Sequence, residues 1–223
     1  MKKSVSAIIF LAALLGCAGM AFGQNGVIKE VSGTVELKRA GQSAFVPAKA
    51  GDEVARDTVV STGFKSTALI TVGSTAITVR SLTCLTLEEI SASAGSETIN
   101  VNLQAGRVRV DVTPPTGIKA NTTVRTPTTT ASVRGTSFEL DTMNLSVREG
   151  TVAFKGKKGA VMLVRAGSAS MIGEGNKAVD PIVKAEAELL PPLPSGVRPE
   201  FAYQGNGIAS PPQADFAMTL DYF

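Results

Sequence analysis

Residues 99–112 read INVNLQAGRVRVDV, and the fold turns on how that stretch is read. Ile99, Val101 and Leu103 alternate with Asn100 and Asn102; past Gly106, Val108, Val110 and Val112 alternate with Arg109 and Asp111. A period of two sends successive side chains to opposite faces of a strand, one row toward a core and the other toward water. The stretch is therefore two half-buried strands meeting at a glycine. The same pattern runs outward from it. Upstream, ALITV (68–72), Gly73-Ser74 and TAITV (75–79) read as a hairpin on a glycine-first tight turn. Downstream, Phe138 and Leu140 alternate with Glu139 and Asp141, and Leu145 and Val147 with Ser146 and Arg148.

Glycines recur between strand-like runs in KAGDEV (49–54), QAGRVRV (104–110), REGTVAF (148–154) and RAGSASM (165–171). Their spacing is irregular, which excludes a solenoid of fixed repeat. From Gly26 to about Asp180 no helical period is sustained. The expectation is an all-β domain of short strands, stacked either as a twisted, degenerate β-solenoid or as a sandwich; periodicity alone does not separate the two. Val161-Met162-Leu163-Val164, apolar at every position, predicts a strand covered on both faces. Lys155-Gly156-Lys157-Lys158-Gly159 reads as an exposed hairpin turn.

The expected organisation has three parts: a signal peptide over 1–23, a β domain over 24–180 and a proline-rich, largely irregular tail over 181–223. The first part opens with Lys2 and Lys3, continues with an apolar run from Ala7 to Leu15 and ends in small residues. That layout is a secretory signal with its cut between Gly23 and Gln24. Leu14-Leu15-Gly16-Cys17 offers a second exit, a bacterial lipobox in which Cys17 becomes the lipidated first residue. Simple cleavage is the favoured reading, and attachment to a membrane is expected only with lipidation at Cys17. In the tail, IVKAEAELL (182–190) reads as a short helix ahead of PPLPSGVRPE.

Composition narrows the chemistry. Among 223 residues, 43 % are hydrophobic and 18 % charged, as in a globular chain, yet there is no tryptophan and no histidine. The missing histidine removes Ser-His-Asp and Cys-His nucleophile pairs, His-containing zinc sites and the usual general base near neutral pH. Basic residues exceed acidic ones by three, and by one without Lys2 and Lys3, far from the basic excess of a nucleic-acid binder. After a cut at Gly23, Cys84 is the remaining cysteine and reads as a small half-buried hydrophobe. Glu88 and Glu89, adjacent on a strand, are expected on opposite faces and so unable to act together on one substrate. No catalytic, cofactor or metal constellation is expected.

One segment carries more. Residues 124–140 read VRTPTTTASVRGTSFEL. Thr126-Pro127 forces an extended start, because the residue before proline avoids the helical region. A threonine-rich strand follows, then a corner at Arg134-Gly135-Thr136, then Phe138 and Leu140 pointing inward. Arg134 has two readings. The favoured one is an internal pair with Glu139, Glu149 or the carbonyls of the turn, pinning the corner; the other is a fork of donors offered to a partner's carboxylate.

This segment resembles the signature of the FecR domain family, carried by Thr126, Pro127, Arg134, Gly135, Thr136 and Phe138. The order of strands and glycine corners from about Val27 to Ile172 resembles the family as well. The resemblance implies a twisted, solenoid-like stack of strands on the outer side of the cytoplasmic membrane. Regulatory members join such a domain to a cytoplasmic anti-sigma segment and a membrane span, and receive their signal from an outer-membrane transporter. Here a signal peptide is expected in place of that cytoplasmic segment, and the tail is too short for the second subdomain of such regulators. The expected function is an exported, non-enzymatic module of the periplasm or cell envelope that binds a protein partner. Strand addition at an exposed edge is the expected mode, and no nucleic acid is involved. The alternative is a structural module, self-associating or bound to the cell wall.

Overall fold

Alternating hydrophobicity becomes two broad layers in the computed structural model, which describes residues 25–93 and 95–189. The strands in the first half are β1 (Gly26–Ser32), β2 (Val35–Lys38), β3 (Val46–Pro47), β4 (Glu53–Val54), β5 (Thr58–Thr62), β6 (Thr67–Val72), β7 (Thr75–Val79), β8 (Cys84–Ser93) and β9 (Ser96–Ala105). They are followed by β10 (Arg107–Val112), β11 (Lys119–Arg125), β12 (Thr129–Val133), β13 (Ser137–Asp141), β14 (Asn144–Glu149), β15 (Thr151–Gly156), β16 (Met162–Arg165) and β17 (Ala169–Met171). A single 3₁₀ turn, Glu174–Asn176, leads to helix α1, Pro181–Leu189.

An eight-stranded sheet runs β17-β14-β13-β10-β7-β6-β1-β4, and a nine-stranded sheet runs β16-β15-β12-β11-β9-β8-β5-β2-β3. β9 and β11 pair in parallel, while flanking pairs such as β8–β9 and β11–β12 are antiparallel. The inward rows of both sheets form one core, with Phe138 of β13 and Phe154 of β15 its largest fully buried side chains. The architecture thus combines both options left open by the sequence: two facing layers, as in a sandwich, threaded by a chain that passes back and forth between them, as in a solenoid. The buried hydroxyls of Thr75 (β7) and Thr122 (β11) meet across the layers at 3.2 Å, which satisfies two polar groups inside the core.

Among the described residues, each passage between sheets contains a residue with positive φ, glycine in most cases. Gly106, in the QAGRVRV stretch, shows why. It has φ 90°, and a Cβ there would lie 2.3 Å from Thr83 Oγ1 and 2.6 Å from the Leu82 carbonyl oxygen. The hydroxyl in that space accepts the Arg107 N–H at 3.0 Å and donates to the Arg107 carbonyl at 3.1 Å. The 73–74 hairpin forms as read, with Val72 opposite Thr75 and Gly73 at φ 53°.

Two expectations are corrected. β16 lies in an outer layer of two, so one face meets the core and the other meets water. Val164 is buried, whereas Leu163 is 64 % and Val161 56 % exposed. Glu88 and Glu89 share a face. The β8–β9 register shifts between Leu87 and Glu89, and this bulge turns both carboxylates outward. Glu89 accepts the Asn100 amide at 2.5 Å and Glu88 that of Asn102 at 2.7 Å.

α1 begins where its sequence prescribes. Asp180 accepts the Ile182 N–H at 2.8 Å as an N-cap, and Pro181 fills the first helical position. The signal-peptide reading, with Cys17, Gly23 and Gln24, lies outside the described residues, as does the tail beyond Leu189. Among the described residues no helix is long and apolar enough to cross a membrane.

Candidate partner-binding site

The threonine-rich segment is a fastening. Thr126 Oγ1 accepts the N–H groups of Thr128 at 3.2 Å and Thr129 at 2.9 Å, and donates to the Thr142 carbonyl at 3.1 Å. Thr128 Oγ1 donates to the same carbonyl. The extended geometry imposed by Pro127, itself exposed, thereby joins the β11–β12 turn of one sheet to the β13–β14 turn of the other. Beyond β12, Gly135 takes φ 76°, and the chain crosses into β13 with Phe138 fully buried.

Arg134 departs from the expected internal pairing. It is exposed, with no hydrogen bond or ion pair to any described residue. Glu139, its expected partner, lies 3.8 Å from both Arg80 and Arg107 instead. Thr136 is 4 % exposed, and its hydroxyl finds no partner. Arg134, Gly135 and Thr136 border an open cleft of about 440 Å³ on the outer face of the nine-stranded sheet, which also reaches Ser132, Ala153 and Leu163.

The register explains that cleft. One row across the sheet reads Asn100, Thr123, Ser132, Ala153, Leu163. Amides and hydroxyls give way to a small alanine and then to an exposed leucine on the last strand. Around that leucine stand Arg134, Lys155, Lys157, Lys158 and Arg165, all exposed and none in a salt bridge. The outer face of the other sheet is the opposite case, because its charges are matched. Arg109 forks onto Asp111 at 3.0 Å and Arg107 reaches Asp141 at 3.3 Å. A hollow of about 770 Å³ lies over those matched charges, lined by Arg80, Arg107, Glu139 and Asp141 together with Leu82 and Met143.

The sheet edges differ in the same sense. β3 is two residues long and ends on Pro47, β4 is two residues long, and β17 packs against α1. Such short or covered edges resist pairing with another chain. β16 is longer and carries the exposed apolar side chain. A groove of about 230 Å³ runs between it and the start of α1, with Leu163 and Ile182 on its walls; Ile182 is 70 % exposed.

Among the described residues no three acidic or cysteine side chains are placed to hold a metal ion. Burial pushes the Cys84 thiol up, against a smaller downward pull from Lys38, so it stays protonated at neutral pH.

Strands, corners and signature are now placed, and comparison with known proteins adds a family match. Residues 58–153 match the family model described as FecR protein. That segment is FecR-like. The match runs from β5 into β15 and contains the whole Thr126–Phe138 signature; β1–β4, β16 and β17 extend the same two sheets beyond it. Two crystal structures of a proposed anti-sigma factor from Parabacteroides distasonis, at 1.65 and 2.50 Å resolution, are similar to it at 18 % identity and a TM-score of 0.44. The aligned region covers 58 % of this chain and 64 % or 63 % of those, so the chain spans less than two thirds of their length. No curated protein matches the chain.

Sequence reasoning found the resemblance to the FecR domain but missed Leu163 and Ile182. The signal was present: VMLV is the last strand-like run of the nine-stranded sheet before composition changes at Pro181. What was lacking was the strand order, which makes that run an edge.

Proposed function

We propose that the chain is an exported, non-enzymatic FecR-type module of the bacterial cell envelope that binds a protein partner in signalling or envelope assembly. The observation that carries the reading is the β16 end of the FecR domain. An open strand edge with exposed apolar side chains and unpaired cations stands there, on a scaffold whose other edges are short or covered. Export is supported by the Lys2-Lys3 start, the apolar run to Leu15 and the small residues before Gln24. Periplasmic release after Gly23 is the favoured fate, and lipid anchoring at Cys17 the other.

Crosslinking in intact cells of the native organism tests the proposal, with purification under denaturing conditions and mass spectrometry of the adducts. The same sample reports the mature N-terminus, Gln24 or lipidated Cys17. A dominant adduct with one envelope protein is expected. Adducts confined to copies of the chain or to wall fragments overturn the partner-binding reading in favour of a structural module.

A further inference from the structure

The backbone of β16 sets what its edge can receive. β15 and β16 pair with Val152 opposite Val164 and Ala153 opposite Leu163. In an antiparallel ladder, bonded and non-bonded pairs alternate. The Ala166 N–H donates to the Gly150 carbonyl at 2.9 Å, which fixes the phase. Pairs an even number of residues away, through Val164 and Met162, face β15, while Leu163 turns its N–H and C=O to the open edge. The Arg165 carbonyl is occupied by the Ser168 N–H at 3.0 Å, so the free donor–acceptor pair belongs to Leu163.

We propose that β16 accepts an extended segment of the partner as an added strand, its centre apolar and its flanks acidic; this rests on the partner-binding reading above. On the added strand the side chain opposite Leu163 takes the same face as Leu163, beside the groove that Leu163 walls with Ile182, so an apolar group there is buried on docking; its two neighbours turn to the other face. Next along the added strand come Arg165 at one end and the Lys157-Lys158 turn at the other. All three are free of ion pairs, so carboxylates match both flanks. Asp180 is the one carboxylate lining the groove, and it is engaged by the Ile182 N–H at 2.8 Å. A basic segment therefore meets one carboxylate there against the three cations of Arg165, Lys157 and Lys158.

The test uses the purified mature chain with two probe peptides, EDVVVDE and KKVVVKK, followed by fluorescence anisotropy and amide exchange. EDVVVDE is expected to slow exchange at Leu163 at least tenfold and to bind at least tenfold more tightly than KKVVVKK. Leu163→Pro removes the outward N–H together with the leucine side chain, which Leu163→Ala removes alone; the proline variant is expected to abolish binding and the alanine variant to weaken it only in part, both with the melting curve retained. Arg165→Glu is expected to narrow or reverse the preference between peptides, which an unfolded variant does not do. Equal binding of the two peptides, unaltered binding by Leu163→Pro, or protection at Leu163 before any peptide is added overturns the inference. A photo-crosslinker at position 163 separates the two levels. A cellular partner captured from other positions but never from 163 overturns strand addition and leaves partner binding standing. Capture from no position overturns both.

Discussion

The Thr126 hydroxyl donates to the carbonyl of Thr142 at 3.1 Å, and this contact fastens the end of one sheet to the end of the other. The same hydroxyl accepts two backbone N–H groups. Ten residues on in the signature, Thr136 is buried and its hydroxyl has no partner.

These two threonines should respond oppositely to the same substitution. Thr126→Val takes the acceptor from the Thr128 and Thr129 N–H groups and leaves the Thr142 carbonyl with the Thr128 hydroxyl alone, at a cost of about 1–3 kcal/mol. Thr136→Val replaces a desolvated, unbonded hydroxyl by a methyl and is expected to be neutral or stabilising. Denaturant midpoints of both variants decide it; a large loss in Thr136→Val would show that its hydroxyl has a partner in solution.

Gly106→Ala is expected to be among the most damaging of the glycine substitutions, at about 3 kcal/mol, because positive φ and contact with the Thr83 and Leu82 backbone act together. Gly41 is its control. It has φ 74° with nothing within 4 Å of an added Cβ, so alanine there costs about 1 kcal/mol. Equal unfolding midpoints for the two variants would contradict the crowding at Gly106.

Alternation around Gly106 made the strands legible, and the corner glycines marked where they end, since both are local properties of a chain. Sheet order is not local. Nothing in VMLV says that Leu163 will meet water, which depends on whether a layer covers the outer face of its sheet, or that its backbone is left open, which depends on whether another strand follows it in the ladder. The Glu88–Glu89 bulge failed for a related reason: strict alternation assumes an unbroken register, and one extra residue in β8 reverses the assignment. The pairing expected for Arg134 failed because Glu139 lies between two other arginines, contacts that only the β7–β10–β13 neighbourhood creates.

Arg134→Ala follows from that geometry. With no described partner to lose, the variant should unfold within about 0.5 kcal/mol of the parent, as surface substitutions usually do. Its capture of the envelope partner should fall severalfold if the cationic rim of the cleft contributes to binding. A marked drop in melting temperature would return Arg134 to the structural role that its place beside a strand corner first indicated.

Asp141 gives the domain a defined acid limit. Burial pushes its carboxyl up, but the backbone N–H groups of Met143 and Asn144, the Asn144 side chain and Arg107 outweigh that and hold it below the usual carboxylate range. Both N–H bonds are short, at 2.8 and 2.7 Å, so the charged form organises the β13–β14 turn. A carboxyl whose folded value is depressed contributes stability above its unfolded value and loses it as pH falls through the folded one. The contribution is therefore complete above about pH 5, declines below about pH 4 and is gone once the folded group is protonated. Asp141→Asn is expected to lower stability at neutral pH and to flatten its fall below about pH 4. Urea midpoints across that range measure it, and an unchanged slope in the variant would assign the acid sensitivity to other carboxylates.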